Sequence, residues 1–479
     1  MNIVHTIRQE TRSLLDGNAM IDADRTISYG QLFDSISRLG TVMAARGITA
    51  GQRIAFHCPD GIDYVIGALA LLECGAAVVP MANSLTDNEV RETIERIDVD
   101  GVIVHSGMPK LTGEQEAAPL DDTFLFQPRA ATTSRSNDPC REIGAAFIRF
   151  SSGTTGESKG VVLSHQSILE RTDAANRGLQ ITEQDVILWV LAMSHHFVVS
   201  ILLFLRRGAT IVIGNQFFPF SVIEAAQKHP ITFIYGSPVH YHLLSMSDAI
   251  SPQALSNVRL AISTSMKMPP DISARFAEKF GFAPAEAYGI IEIGLPFINT
   301  DPGSTAEPTV GKVLPDYQLQ IANPDADGVG EVLIKGKGMF DAYFYPWRTR
   351  EAVAPDGWFH TGDLGRLDDQ NRLYLVGRSK TVVVCAGMKV FPEEVEEVID
   401  SFPNVSESLV SGRDHPQFGQ VPVAQIVCKD NLPNAGSFLQ DLRAYCCEKL
   451  SSYKVPLEFT LVPSLPKTPS GKLARAAHS

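Results

Sequence analysis

The chain is 479 residues long, with a formal net charge of −13 and seven cysteines. That length exceeds what one hydrophobic core usually supports, so two or more domains are expected. The acidic balance argues against nucleic acid as a partner. Cys58, Cys74, Cys140, Cys385, Cys428, Cys446 and Cys447 form no CxxC pair and no cluster at zinc-ligand spacing, which leaves structural thiols.

In chain order, the first ten residues mix polar and apolar types without a long apolar core, so no signal peptide is expected and the protein reads as cytoplasmic. From about residue 50 to 300, apolar strands alternate with glycine or proline punctuation and amphipathic helices. Arg53–Cys58 reads as a strand, Asp60–Cys74 as a helix and Ala76–Pro80 as the next strand. The alternation returns through Asp185–Met193, Val198–Leu205, Thr210–Ile213, Ser221–Lys228, Ile231–Tyr235 and Leu260–Ile262, the pattern of parallel sheets covered by helices. Arg206-Arg207 and Gly208 interrupt the most apolar stretch, Phe197–Ile213, so no membrane span is expected. Residues 107–145 break the rhythm around a Phe124-Leu125-Phe126 island and read as a surface excursion. Beyond about 300 the strands shorten, and a second domain is expected near Gly377, opened by strand Thr381–Val384 and helix Pro392–Ser401. From Arg378 onward 11 Lys+Arg balance 11 Asp+Glu, so the acidic excess lies earlier.

One loop carries most of the chemistry. An apolar run, Phe147-Ile148-Arg149-Phe150, breaks into Ser151-Ser152-Gly153-Thr154-Thr155-Gly156-Glu157-Ser158-Lys159-Gly160. Glycines let backbone N–H groups approach an anion, hydroxyls add donors, and Lys159 supplies charge for phosphate oxygens. The spacing does not fit the Gly-Lys-Ser/Thr loop that opens a helix in kinases and ATPases. Further along stand Tyr288-Gly289-Ile290-Ile291-Glu292, Thr361-Gly362-Asp363, Gly377-Arg378-Ser379-Lys380 and, near the end, Pro466-Lys467-Thr468-Pro469-Ser470-Gly471-Lys472.

Taken in this order, these segments resemble the signatures of the adenylate-forming superfamily of acyl-CoA synthetases, aryl-acid ligases and adenylation domains of peptide synthetases. The resemblance implies a large N-terminal domain, 1–377, of helix-covered mostly parallel sheets with a small β-rich subdomain at about 301–377. A small mobile α+β C-terminal domain, 378–479, would follow. It implies an enzyme that joins a carboxylic acid to ATP as acyl-AMP with release of pyrophosphate, then transfers the acyl group to a phosphopantetheine thiol. Ser151, Ser152, Gly153, Thr154, Thr155, Gly156 and Lys159 would hold the ATP phosphates, Tyr288 and Gly289 the adenine, and Asp363 and Arg378 the ribose. Glu292 would help hold Mg²⁺, which needs few protein oxygens when phosphates and waters fill its shell. Lys472 would be the catalytic lysine, placing an ammonium where carboxylate and phosphate oxygens gather negative charge. Lys380 would be the hinge, and Gly387 would let the pantetheine arm pass close to the backbone once Lys472 has left.

One residue departs from the pattern: Ile291 stands where the superfamily usually carries Thr, whose hydroxyl reaches the α-phosphate. His195 and His196 fall in the segment that gates the acyl pocket, and Tyr235, Gly236, Thr264, Ser265 and Met266 align with its walls. The volume of the last three would collide with a long alkyl chain, so a short, branched, aromatic or otherwise compact acid is expected. CoA is the favoured thiol. A standalone enzyme that loads a carrier protein is the second reading, and a non-catalytic nucleotide- or acyl-binding protein the third.

Overall fold

The protein is described from a computed structural model, which covers residues 2–475 apart from 24, 84, 86, 109–116, 130–137, 151–158, 215–218, 302–307, 380, 386–387, 416–418, 430–434, 451 and 468–472. Two compact units emerge: one comprises Met1–Ser151, Lys159–Gln318 and Lys335–Gly357, and the other takes in Leu319–Ile334 and Trp358–Ser479.

Among the described residues the first unit contains two large sheets. The eight-stranded sheet runs, in spatial order, Gly294–Ile298, Ala285–Ile290, Leu260–Ser263, Phe233–Gly236, Val186–Trp189, Thr210–Ile213, Asn18–Asp22 and Arg25–Ser28. Its inner strands pair in parallel and each edge is closed by an antiparallel hairpin. The nine-stranded sheet has a parallel centre, with Arg53–His57 flanked by Ala77–Met81 and Gly101–His105, and Ala145–Arg149 next to Ala77–Met81. These central strands are buried on both faces, which explains why they read as unbroken apolar runs instead of alternating ones. The helix Ile62–Glu73 that joins two of them is apolar nearly all round and equally buried.

One expectation changes. Phe124-Leu125-Phe126 is no surface excursion: Phe124–Pro128 is a strand paired antiparallel with Gly101–His105, and its Phe124 and Phe126 rings are buried. Loop-forming residues on both sides masked a strand too short to show its own period. The apolar run Val198–Leu205 fills the helical place in the alternation, as a wide π turn over Phe197–Ile201 continuing into Leu202–Arg206. An apolar run buried on every side carries no period that separates helix from strand.

The second unit holds most of a four-stranded antiparallel sheet, Tyr317–Ala322, Gly330–Gly336, Phe359–Leu367 and Leu373–Arg378, and a five-stranded sheet containing Val405–His415 and Gly419–Cys428. The helices Pro392–Asp400 and Ala435–Lys449 contribute Val395, Ile399, Leu442 and Cys446 to the core of the latter. The cysteines form no disulfides. Among the described residues no helix is long and apolar enough to cross a membrane.

Candidate active site

In the first unit a hairpin joins Ala285–Ile290 to Gly294–Ile298 and carries Glu292 at its turn. Gly289 is required there by space, because a Cβ at that position would lie 2.1 Å from the Gly294 carbonyl oxygen. Behind the turn stands Arg171, buried on the helix His165–Leu179. Its Nε donates to the Gly338 carbonyl at 2.9 Å and its Nη1 to the Ile291 carbonyl at 3.0 Å. The Glu292 carbonyl accepts from the Phe340 N–H at 2.7 Å. The turn is therefore held by its backbone, which leaves the carboxylate to face other partners.

One of these is Tyr343, whose hydroxyl donates to Glu292 Oε1 at 3.1 Å. The Lys159 ammonium lies 5.1 Å from the centroid of the same ring. Tyr343 is thus flanked by a cation over its face and a carboxylate at its hydroxyl, and burial together with the Glu292 charge pushes its pKa well above the ordinary phenol value. The position of Lys159 is fixed by the chain neighbours of Tyr343: the Tyr345 N–H donates to the Lys159 carbonyl at 3.0 Å, and the Phe344 N–H to that of Gly160 at 2.7 Å. Among the described residues no three His, Cys, Asp or Glu side chains cluster as a metal cage. The single Glu292 carboxylate still fits a hard dication that takes its other ligands from phosphates and water.

The candidate acyl pocket lies on the eight-stranded sheet. Tyr235 stacks on Trp189 with ring centroids 5.7 Å apart, and His196 meets both rings edge-on, at 6.5 Å from Tyr235 and 6.4 Å from Trp189. Nε2 of His196 is 3.4 Å from Ser265 Oγ. Burial pushes the Tyr235 hydroxyl up to about 12, against a hydrogen bond with Thr264. The Gly236 carbonyl accepts from the Thr264 N–H at 3.0 Å. Ser265 holds a left-handed φ of 77°, and Met266 is exposed. Nε1 of Trp189 and Oγ of Ser263 are buried without a hydrogen-bond partner among the described residues. His195, in the short helix Met193–His196, is 2.9 Å from Ser194 Oγ through Nδ1, and its carbonyl accepts from Arg149 Nη1 at 2.6 Å.

In the second unit Asp363 and Arg378 are cross-strand partners, and Arg378 Nε donates to Asp363 Oδ1 at 3.0 Å. The carboxylate is buried and the guanidinium half-exposed. The last described residues bracket the segment that carries Lys472: Lys467 bridges antiparallel to Leu473, Lys467 Nζ lies 2.8 Å from Glu407, and Arg475 pairs with Glu396.

The geometry brings together Lys159 with Glu292, the group formed by His196, Tyr235, Thr264 and Ser265, and Asp363 with Arg378. Tyr288 lies on the same hairpin as Glu292, its ring 5.9 Å from Phe297. Ser151, Ser152, Gly153, Thr154, Thr155, Gly156, Lys380, Gly387 and Lys472 lie outside the described residues. Sequence reasoning missed Tyr343, Arg171, Trp189 and Arg149. The available signals were the run Tyr343-Phe344-Tyr345-Pro346 and a lone arginine ending an apolar strand.

A family model described as AMP-binding enzyme matches residues 8–344, and one described as AMP-binding enzyme C-terminal domain matches residues 394–472. A methyl-dioxo-octahydroindenyl-propanoyl:CoA ligase of Mycobacterium tuberculosis is 29% identical, covering 97% of this chain and 96% of its own. The sulfoacetate–CoA ligase of Cupriavidus necator is 27% identical over 95% of this chain and 92% of its own. Among solved structures, ATP-bound MatB from Rhodopseudomonas palustris superposes with a TM-score of 0.82 at 25% identity, covering 99% of this chain and 97% of that one. The o-succinylbenzoate CoA synthetase of Bacillus subtilis, in complex with its acyl-adenylate intermediate, gives 0.83 at 26% identity over 98% and 96%. With a family model covering most of its length, an Ala285–Ile298 hairpin that presents Glu292 beside Tyr343 and Lys159, and relatives that align from end to end, the chain belongs to the AMP-binding enzymes.

Proposed function

We propose that the protein is an AMP-forming acid–thiol ligase that uses ATP and Mg²⁺ to activate a compact carboxylic acid and passes the acyl group to CoA. The observation that carries this reading is the placement of Lys159 and Glu292 on either side of Tyr343. A cation for phosphate oxygens and a carboxylate for the dication that accompanies them are thereby held in one place. Asp363 and Arg378 supply the ribose contacts, Lys472 the mobile ammonium, and the Ser151–Gly156 loop the phosphate donors. The domain 378–479 turns about Lys380 between the half-reactions, bringing Gly387 to the thiol.

The lining supports a compact acid. Stacked Trp189 and Tyr235, with His196 edge-on to both, fill the space that a long alkyl chain would need. CoA is favoured as acceptor because the CoA ligases among the relatives align over nearly the whole chain. The site needs no membrane, and we place the enzyme in the cytoplasm.

The test is pyrophosphate release from ATP and Mg²⁺ over a panel of short aliphatic, branched, aryl and long-chain acids, with Lys472→Ala beside the wild type. Release with a compact acid, falling roughly a hundredfold in the variant as expected for loss of a charge-stabilising group, supports the reading. Release with long chains alone overturns the pocket assignment, and ATP binding without turnover on any acid favours a binding protein.

A further inference from the structure

The strand Ala145–Arg149 is otherwise apolar and buried, yet it ends in a cation two residues before the phosphate loop. Arg149 is enclosed by protein while part of its surface stays accessible, which is how a side chain lining a cleft behaves. No carboxylate forms an ion pair with it among the described residues, and its Nη1 bonds the His195 carbonyl. Burial holds its pKa down to about 10, opposed by the charge of Glu292, which acts on it across the site. An enclosed arginine without an ion-pair partner is costly unless an anion arrives to meet it.

One contact and one charge say where that anion sits. Arg149 bonds the carbonyl of His195, which we assign to the acyl gate, and feels the charge of Glu292, which we assign to the phosphate side, so it is coupled to a group from each side of the reaction. We propose that Arg149 binds the oxygens that meet during adenylation, the acid's carboxylate and the α-phosphate, and so supplies the contact that a hydroxyl at position 291 would otherwise make. This assignment rests on the ligase reading above. In the step concerned, a carboxylate oxygen forms a bond to the α-phosphorus as the bond from that phosphorus to the bridging oxygen of pyrophosphate breaks. Pyrophosphate leaves with the electron pair, and no proton need move. Negative charge accumulates on the oxygens in between, and a preorganised guanidinium offers paired N–H donors to it without reorganisation.

Acid-dependent ATP–pyrophosphate exchange and thioester formation from supplied acyl-AMP are measured separately for wild type, Arg149→Lys, Arg149→Met, Ile291→Thr and the Arg149→Met/Ile291→Thr double variant, with Tm recorded for each. Loss of one transition-state donor lowers rates about 10²- to 10³-fold. The expected result is a loss of that order in the exchange kcat of Arg149→Met, with a smaller effect on thioester formation and on the KM for ATP. Arg149→Lys, which keeps the charge and loses the paired donors, should fall between the wild type and Arg149→Met. In the double variant, the hydroxyl introduced by Ile291→Thr should restore at least about tenfold of what Arg149→Met loses, a fraction of a single donor's worth. A purely structural arginine would instead depress both half-reactions together with Tm, and the hydroxyl would rescue nothing; either outcome overturns the proposal. Unchanged exchange in Arg149→Met overturns it as well, leaving the ligase reading intact. Silence of the wild type on every acid removes the ligase reading and the assignment with it.

Discussion

At the scale of single residues, the site depends on side chains that serve another side chain. Tyr343 is the plainest case: its ring lies under Lys159 and its hydroxyl holds Glu292. Tyr343→Phe keeps the ring and removes the hydroxyl, so the cation stays and the carboxylate loses its orientation. Groups that orient a metal-side carboxylate are typically worth about 10- to 100-fold in metal affinity or activity. A Mg²⁺ titration of pyrophosphate release should therefore show a higher half-saturating Mg²⁺ concentration and a lower plateau for Tyr343→Phe, and Tyr343→Leu should in addition weaken ATP binding. At this scale the sequence singles out candidates where a residue belongs to a spaced motif, as Lys159, Glu292, Asp363 and Arg378 do. Tyr343 and Arg149 act from strands elsewhere in the chain, and only folding reveals that residues so far apart in sequence close to hydrogen-bond distance.

At the scale of elements, the hairpin that carries Glu292 is built around close backbone approach. The 2.1 Å between a would-be Gly289 Cβ and the Gly294 carbonyl is a contact with backbone, which no side-chain rotation relieves. Gly289→Ala should destabilise the first unit by about 1–3 kcal/mol, the usual range for overpacking, seen as a lower urea midpoint at unchanged m. It should also lower the adenylation rate, because the displaced turn is the one that Arg171 braces. Elements were legible in proportion to their contrast with what surrounds them. Arg53–His57, Ile62–Glu73 and Pro392–Asp400 fall within a residue or two of expectation, each ended by a turn former or a change of period. Phe124–Pro128 was not legible, for its shortness.

For the molecule as a whole, buried histidines link stability to pH. Burial lowers the pKa of His240 from 6.5 to about 4, and its Nδ1 accepts from the Ser237 N–H at 3.2 Å. His165 is lowered to about 4 as well, and its Nδ1 accepts from the Ile3 N–H at 3.3 Å. Each must stay neutral to accept, so the unfolded chain binds protons more readily than the folded one in this range. Their stabilising contribution is complete above pH 6.5 and is lost as pH falls toward 4. Calorimetric Tm should drop between pH 7 and pH 5, and His240→Gln, which takes up no proton there, should flatten part of that slope.

The first unit also keeps its candidate acyl walls apart from its nucleotide residues. Trp189, Tyr235 and Thr264 stand on or directly after inner strands of the eight-stranded sheet, whereas Lys159 and Tyr343 stand on or beside strands of the nine-stranded sheet and Glu292 on the edge hairpin of the eight-stranded one. A lineage that carries this fold can exchange wall residues on those inner strands and explore new acids while the machinery that spends ATP is inherited unchanged. The fuel and the cargo are read by different residues, and only one set has to be rewritten for the enzyme to learn a new trade.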